Sequence, residues 1–285
     1  IYMYKKILIT GGAGFLGRHL CEKLLKNNKV ICLDNLQTGC KKNFEIFLKS
    51  PNFTFIKHDV KKKINIKCDK IFHFASPASP IHYQKKPIDT LLTNVLGTHN
   101  MLKLAKKNNC ELILASTSEI YGDPKRTPQN ENYFGNVNST GPRACYDEGK
   151  RCAETLAFDF KRKYKTKVKV LRIFNTYGPY MALNDGRVVS NFIVNSINNK
   201  NLNIYGDGNN TRSFCYVDDL IDIIIKISKI RKNLNTPVNI GNDYEISVKK
   251  LAKIIIKLNN SSSKIIHSES LINEPKIRRP DLKLL

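Results

Sequence analysis

A tyrosine and a lysine four residues apart, Tyr146 and Lys150, form the pair in this sequence with the most specific chemical use. On a helix this spacing places both side chains on one face. An ammonium group near the phenol would lower the phenol pKa from ~10 toward neutrality, and a tyrosinate could then remove a proton from an alcohol as hydride leaves its carbon. Two other Tyr-x-x-x-Lys spacings begin at Tyr2 and Tyr121, but the first precedes the first predicted strand and a proline interrupts the second. The alternative interpretation of Tyr146 and Lys150 is an ordinary surface pair.

Three glycines spaced three apart, Gly11, Gly14 and Gly17, follow the first predicted strand and open the first predicted helix. Such glycines allow a tight turn, a close approach of the backbone to a pyrophosphate, and close packing of helix on strand. Asp34 ends the second predicted strand, where a carboxylate accepts hydrogen bonds from the hydroxyls of an adenosine ribose and repels a 2′-phosphate. We therefore expect NAD rather than NADP, with Asp59 as a weaker candidate for the adenine amino group. A glycine-rich turn beside a surface aspartate is the alternative.

Strand-like and helix-like segments alternate along the chain. Short β-branched runs at 6–10, 30–33, 53–56, 71–75, 111–115 and 168–174 are separated by helical patterns that include 15–27, 87–108 and 145–164. This alternation predicts an α/β fold, a Rossmann-type doubly wound parallel sheet. Beyond residue 175 we expect helices at 188–199, 218–232 and 247–258 and short strands at 202–205, 238–240 and 265–267. The prediction is an NAD-binding domain over 1–175 and a smaller substrate-binding portion over 176–285.

Composition restricts the function further. The 285 residues are 41% apolar and carry a net charge of +24, and no apolar run approaches the ~20 residues of a membrane span. Lys outnumbers Arg 37 to 11 and is scattered, which favours solvated helix faces over a specific nucleic-acid surface. The eight cysteines contain no Cys-x-x-Cys pair and no zinc-like cluster, so we expect reduced thiols, no metal and a cytoplasmic protein without a signal peptide or membrane anchor.

Several longer segments resemble one family. These are HFASPASP at 73–80, STSEIYGD at 116–123, GPRACYDEGKR at 141–151, RIFNTYGP at 172–179, NDGRVVSNF at 184–192 and TRSFCYV at 211–217. Together with the glycine motif and Tyr-x-x-x-Lys, they identify the chain as similar to the extended short-chain dehydrogenase/reductases, which modify nucleotide-sugars. Within that family the likeness is greatest to the members that decarboxylate UDP-glucuronate, and it extends from residue 6 to about 281.

The resemblance implies a set of site residues. Those implied in catalysis are Tyr146 as the base at the C4 hydroxyl, Lys150, Thr117 at the reacting oxygen, Ser118, Glu119 near C5 and C6, and Arg278 near C5. Those implied in binding NAD are Gly11, Gly14, Phe15, Leu16, Gly17, Asp34, Asn35, Thr38, Gly39, Asp59, Val60, Phe74, Ser76, Thr93, Ala115, Tyr146, Lys150, Thr176 and Arg187. Those implied in binding the nucleotide-sugar are Pro77, Tyr83, Asn175, Val189, Asn191, Tyr205, Arg212 and Arg278.

The implied reaction is an NAD-dependent decarboxylation of UDP-glucuronate to UDP-xylose through a 4-keto intermediate, with NAD regenerated in each cycle. It implies a homodimer that pairs the helices at 87–108 and 145–164. Another NAD-dependent UDP-sugar enzyme, a 4-epimerase or a 4,6-dehydratase, is the alternative. A non-catalytic NAD-binding or nucleic-acid-binding protein is a more remote one.

The chain departs from the family pattern in two places. It reads Tyr180-Met181-Ala182 where the family usually has Arg-Met-His, and Leu92 stands where a lysine often contacts the acidic sugar. Members of the family also continue through about one more helix beyond the position of Leu285, so we expect a trimmed or a minimal member. The first departure removes two polar groups, and the loss of the lysine weakens the expected recognition of the sugar carboxylate.

Overall fold

Seven parallel strands form the centre of the fold in the part of the chain that the structure describes, residues 4–232, 234–269 and 277–285 of a computed structural model. The strands are β1 Lys5–Thr10, β2 Asn28–Asp34, β3 Phe53–Lys57, β4 Lys70–His73, β5 Glu111–Thr117, β6 Val168–Ile173, β7 Thr176–Tyr177, β8 Leu202–Tyr205, β9 Thr211–Ser213, β10 Cys215–Tyr216, β11 Val238–Ile240, β12 Glu245–Ser247, β13 Ile265–Ser268 and β14 Ile277–Arg278. The helices are α1 Phe15–Leu25, α2 Pro80–Lys85, α3 Pro87–Leu92, α4 Thr98–Asn108, α5 Ala144–Tyr164, α6 Val188–Ile197, α7 Val217–Lys229 and α8 Val248–Leu258.

The order of strands in the central sheet is β11-β6-β5-β4-β1-β2-β3, and every neighbouring pair is parallel. From β1 the chain proceeds to β2 on one side and later to β4 on the other. The order of the strands therefore reverses at β1, and in open parallel sheets the crevice at this point holds the ligand at the carboxyl ends of the strands. The predicted Rossmann-type fold is confirmed.

Helices cover both faces of this sheet. Helices α1 and α7 pack on one face through a core that includes Leu20, Leu24, Leu220 and Ile224. Helices α4 and α5 pack on the other face, where Met101 is among the buried residues. Because α7 and β11 come from beyond residue 175, part of the C-terminal portion of the chain completes the nucleotide-binding sheet.

The prediction of one continuous helix over 87–108 is wrong. Helix α3 ends at Leu92, a π-helical segment covers Thr93–Gly97, and α4 follows. A Cβ on Gly97 would lie 2.7 Å from the Val60 side chain, so the wide turn passes close to the loop that follows β3. The remaining predicted helices agree with the structure to within about three residues at each end.

Short strands outside the main sheet position the C-terminal part of the chain. Strand β14 runs parallel to β9, and β9 is antiparallel to β12. These two-residue and three-residue strands, together with β7, β10 and helix α2, were not predicted. Among the described residues, no helix is both long enough and apolar enough to cross a membrane.

Candidate active site

The glycines at the first strand–helix junction leave the backbone of α1 open to a ligand. Gly11 has a φ of +71°, and a Cβ on it would lie 2.8 Å from the backbone nitrogen of Ala75. A Cβ on Gly17 would lie 2.0 Å from the Gly11 carbonyl oxygen, so the helix and the turn meet too closely for a side chain. Helix α1 begins after Gly14, which has no side chain to cap the first N–H groups. The loop therefore fits the pyrophosphate of a dinucleotide.

Asp34 lies at the end of β2, beside this loop. Its Oδ2 accepts a hydrogen bond from the Ala13 backbone N–H at 3.1 Å, and its Oδ1 accepts one from Leu36 at 2.8 Å. Burial raises the pKa of Asp34, and the backbone donors of Leu36 and Ala13 act in the opposite direction. Each oxygen keeps a further lone pair, so the carboxylate can hold the loop and still accept a ribose hydroxyl.

A cavity of about 1100 Å³ extends from the glycine loop across the carboxyl ends of the strands to the C-terminal portion of the chain. Nearly all the predicted site residues line it: Gly11, Gly14, Phe15, Leu16, Gly17, Asp34, Asn35, Thr38, Val60, Phe74, Ser76, Pro77, Thr93, Ala115, Thr117, Ser118, Glu119, Tyr146, Lys150, Asn175, Thr176, Arg187, Val189, Asn191, Tyr205, Arg212 and Arg278. The lining also includes Tyr180 and Ala182, which depart from the family pattern, and Met181 between them.

Three of the predicted residues are not among those that line the cavity, and Leu92 is not among them either. Gly39 packs against Ala13, because a Cβ on it would lie 2.9 Å from the Ala13 Cβ. Asp59 pairs with Lys61 at 3.3 Å. Tyr83 is fully buried. The contacts of these three with a ligand stay predictions.

Tyr146 and Lys150 lie on α5, and both are buried where that helix crosses the end of β5. The Lys150 Nζ donates a hydrogen bond to the Ala115 carbonyl oxygen at 2.8 Å and lies 5.8 Å from the centre of the Tyr146 ring. Burial lowers the pKa of Lys150 to about 8, and the charge of Glu154 opposes that shift. The ammonium is therefore held at a fixed place beside the phenol and loses its proton as the pH rises above about 8.

The expected lowering of the Tyr146 pKa is wrong for the protein alone. Burial, and after it the negative charge of Glu119, raise the pKa of the phenol, while the Thr117 hydroxyl and the Arg187 guanidinium act in the opposite direction. Burial destabilises the tyrosinate form of Tyr146. This effect is larger than the stabilisation by the Lys150 ammonium, which lies 5.8 Å from the centre of the ring. Further positive charge, brought by a ligand, is needed before Tyr146 can act as a base near neutral pH.

Glu119 lies between two arginines on the other side of Tyr146. The backbone N–H of Glu119 donates to the Thr117 Oγ1 at 3.2 Å, which fixes the turn that follows β5. The Glu119 carboxylate forms ion pairs with Arg143 and, at 3.4 Å, with Arg278, which β14 brings to the site. Burial alone would raise the pKa of Glu119, but the two guanidinium charges outweigh it and hold that pKa below its usual range. Next to Tyr146 on α5, the buried Asp147 completes this cluster.

Arg187 closes the cavity from the C-terminal side. Its NH2 donates to the Asp185 Oδ2 at 2.8 Å, and the Ser79 hydroxyl donates to the Asp185 carbonyl oxygen. Burial tends to lower the pKa of Arg187, but the Asp185 carboxylate more than compensates, so the guanidinium remains charged. Asp185 thus holds Arg187 near Tyr146.

Sequence reasoning missed Arg143, Asp147 and Asp185. Arg143 and Asp147 stand on either side of the candidate base, three residues before it and one residue after it, and this proximity was the available signal. Periodicity cannot identify such residues, since a charged residue is normally read as exposed.

Comparisons with known proteins agree with this geometry. A model of the NAD dependent epimerase/dehydratase family matches residues 7–241. UDP-glucuronic acid decarboxylase 3 of Arabidopsis thaliana is 48% identical over 279 residues, which cover 97% of this chain and 81% of that protein. UDP-glucuronic acid decarboxylase 1 of Xenopus tropicalis is also 48% identical, and the match covers 98% of this chain and 66% of that protein.

A solved structure of similar fold contains both kinds of ligand that the cavity suggests. The crystal structure of UDP-glucuronic acid 4-epimerase from Bacillus cereus in complex with UDP-glucuronic acid and NAD has a TM-score of 0.87 to this chain. The two are 26% identical, and the superposition covers 98% of this chain and 91% of the epimerase. The fold and the position of the crevice are thus common to both proteins.

Proposed function

Because this chain belongs to the NAD dependent epimerase/dehydratase family, we propose that it is a UDP-glucuronate decarboxylase, which converts UDP-glucuronate to UDP-xylose and carbon dioxide. The relatives at 45–48% identity that carry this name support the assignment. The observation that carries it is the placement of Glu119, Arg143 and Arg278 in the same cavity as Tyr146 and Lys150.

The two groups of residues answer two chemical requirements. A carboxylate on C5 of the sugar cannot leave as carbon dioxide until the electrons that remain can be delocalised, and a ketone at C4 provides this as an enolate. Tyr146 accepts the proton of the C4 hydroxyl, with the Lys150 ammonium nearby to stabilise the tyrosinate. Bound NAD would supply the acceptor for the C4 hydride and positive charge near the phenol.

Residues around the glycine loop would hold the dinucleotide. The N–H groups at the start of α1 suit the pyrophosphate, and the Asp34 carboxylate suits the adenosine ribose hydroxyls. Thr176 and Ser76 lie farther along the same cavity, toward Tyr146. The carboxylate of Asp34 supports a preference for NAD over a cofactor with a 2′-phosphate.

The other end of the cavity would serve the carboxylate of the sugar. A 4-epimerase that acts on UDP-glucuronate must also hold this carboxylate, but a decarboxylase needs in addition a group that supplies a proton to C5. Glu119 with its two arginines meets both needs, because fixed cations hold a carboxylate in place and a carboxyl group can move a proton. The hydroxyls of Thr117 and Tyr146, which line the same cavity, would stabilise the enolate oxygen. Asn175, Val189, Asn191, Tyr205 and Arg212 would line the nucleotide-sugar part of the cavity.

The experiment is a mass spectrum of the product formed from UDP-glucuronate and NAD. We expect a nucleotide-sugar that has lost the mass of carbon dioxide. Tyr146→Phe should reduce the rate by at least about 100-fold, the usual scale of general base catalysis. Tyr164→Phe, at the far end of the same helix and 41% exposed, is the matched control and should not change the rate. A product of unchanged mass that separates chromatographically from UDP-glucuronate would identify an epimerase instead, and loss of water a dehydratase.

We also propose that the chain forms a homodimer through the helices at 87–108 and 144–164 and acts in the cytoplasm. Ile88, Leu92 and Leu96 are 74%, 40% and 42% exposed on the first of these segments, which supports an apolar contact there. All eight cysteines are free thiols, as a reducing compartment requires. Sedimentation of the protein and of Ile88→Asp would test the dimer, since a charge at its centre should yield monomers. Fractionation of cells that produce the chain would test its location.

A further inference from the structure

Asp147 is a buried carboxyl group to which the proposed reaction assigns no role. It follows Tyr146 in the first turn of α5, and 6% of the residue is exposed. Its Oδ1 has no hydrogen-bond partner within the described residues. Asp147 and Glu119 line the same small cavity, and each of the two groups shifts the pKa of the other. Two carboxylates in contact repel each other, and one shared proton removes the repulsion.

The charges around the two carboxyl groups decide which one holds this proton. Arg143 and Arg278 form ion pairs with Glu119, so Glu119 is the group that remains ionised. Burial, followed by the charge of Glu119, raises the pKa of Asp147 to about 8, although Arg143 and Arg278 oppose the shift. Tyr83 and Tyr146 are the other titratable groups nearby, and burial keeps both of them neutral. Near neutral pH the pair therefore carries one proton, on Asp147.

A second cavity of about 240 Å³ reaches this pair from the other side. Exposed residues, Asp123, Asn136 and Asn138, lie along it, and the buried Asp147 lines it as well. Glu119 and Arg278 line both this cavity and the large one. The carboxyl pair thus separates the proposed sugar site from a small polar cavity with an exposed rim.

The reaction proposed above needs such a connection. When the bond between C5 and C6 breaks, its electron pair moves into the enolate and carbon dioxide leaves, and C5 must then gain a proton. Tyr146 cannot be its net source, because the proton it takes from the C4 hydroxyl is returned to the same oxygen. One proton per turnover must therefore come from solvent.

We propose that Asp147 stores this proton and passes it through Glu119 to C5, and that water in the second cavity then replaces it. The proposal rests on the proposed decarboxylase function. Glu119 is the group that faces the sugar, and Asp147 acts through it as a positioning residue. In balance, the proton moves from Asp147 to Glu119 and from Glu119 to C5, the enolate becomes the 4-keto pentose, and Asp147 regains a proton from water.

A single-turnover experiment separates this step from the earlier oxidation. The holoenzyme is mixed with UDP-glucuronate, the rise in absorbance of the reduced nicotinamide reports oxidation at C4, and its decay with the appearance of UDP-pentose reports all later steps. In Asp147→Asn we expect the rise to stay within about threefold of wild type and the decay to slow by about 100-fold. In wild type Asp147 loses its proton above about pH 8, so the difference in decay rate between wild type and Asp147→Asn should shrink there.

Glu148→Gln is the matched control, because Glu148 lies next to Asp147 but pairs with Arg151 at 3.4 Å and is not among the residues that line either cavity. In Glu148→Gln the rates of both the rise and the decay of the absorbance should match those of wild type. A decay at the wild-type rate in Asp147→Asn would overturn the proposal, and so would equal slowing of both phases, which indicates a purely structural role.

If Asp147→Asn does not fold, the pH dependence of the wild-type decay rate tests the proposal by itself. A decay rate that is constant from about pH 6 to about pH 9 would overturn the proposal. The proposed function fails separately. If wild type forms no pentose, both the decarboxylase function and this inference are lost. If wild type forms pentose and Asp147→Asn does so equally fast, only the inference is lost.

Discussion

The ring of Tyr83 stacks on the ring of Tyr146, with the ring centres 5.0 Å apart and the planes within 3° of parallel. The Tyr83 hydroxyl is buried without a hydrogen-bond partner in the described part of the chain. Tyr83 thus supports the candidate base through its ring and not through its hydroxyl.

Tyr83→Phe should therefore leave the free energy of unfolding unchanged or raise it by up to about 1 kcal/mol, because it removes an unsatisfied polar group. Tyr83→Ala should lower that free energy by about 3–5 kcal/mol through the cavity it creates, and it should slow turnover because Tyr146 loses its support. Urea denaturation and steady-state rates measure both effects. Equal damage from Phe and Ala would mean that the hydroxyl matters.

The pKa of Lys150, about 8, predicts the pH dependence of oxidation at C4. The ammonium is present below this pH and is lost above it, so the oxidation rate should fall as the pH rises above about 8. Lys150→Arg should be slower at pH 7 but should show no such fall, because a guanidinium stays charged. The rate of reduced nicotinamide formation in a single turnover measures this. A wild-type rate that continues to rise above pH 8 would contradict the assignment.

The contacts of Asp34 predict the effect of removing its charge. Asp34→Asn loses one charged acceptor for the ribose, so NAD should bind about 10-fold more weakly and its advantage over NADP should shrink. Asp69→Asn is the control, since Asp69 accepts a hydrogen bond from the Lys6 backbone N–H at 2.7 Å, at the opposite end of the sheet. Calorimetric titration with each dinucleotide gives the affinities. The same loss of affinity in both variants would show a general effect on folding.

The raised pKa of Asp147 predicts a pH-dependent cost in stability. The folded protein binds this proton more tightly than the unfolded chain does, so the resulting stability is complete in acid and is lost as the pH rises toward about 8. At pH 8 Asp147→Asn should be more stable than wild type, on the order of 1–2 kcal/mol, and the difference should shrink toward pH 5. Thermal or urea unfolding at several pH values measures it. A variant less stable than wild type at every pH would refute the expectation.

The sequence predicted those features that depend on local pattern. The Rossmann-type sheet follows from alternating apolar strands and amphipathic helices, and the glycine turn with Asp34 follows from spacing alone. Glu119 and Arg278 were predicted from the resemblance alone. In the structure the Arg278 NH1 lies 3.4 Å from the Glu119 Oε1. The roles of these residues in catalysis remain predictions.

Features that depend on distant contacts were missed or misread. The π-helical turn at Thr93–Gly97 depends on packing against other elements, and no periodicity reports it. Strands such as β14 exist only because a partner strand lies beside them. The prediction of a lowered Tyr146 pKa considered only the local spacing to Lys150. Burial, which raises that pKa, depends on the whole fold.

Strand β11 pairs with β6 at the edge of the central sheet, and helix α7 packs against α1. A cut after residue 175 would therefore expose the backbone of β6 and the apolar side of α1. The two portions are interleaved and cannot be exchanged between relatives as separate modules. A chimera that keeps the cofactor crevice of this protein must also keep its residues 217–240.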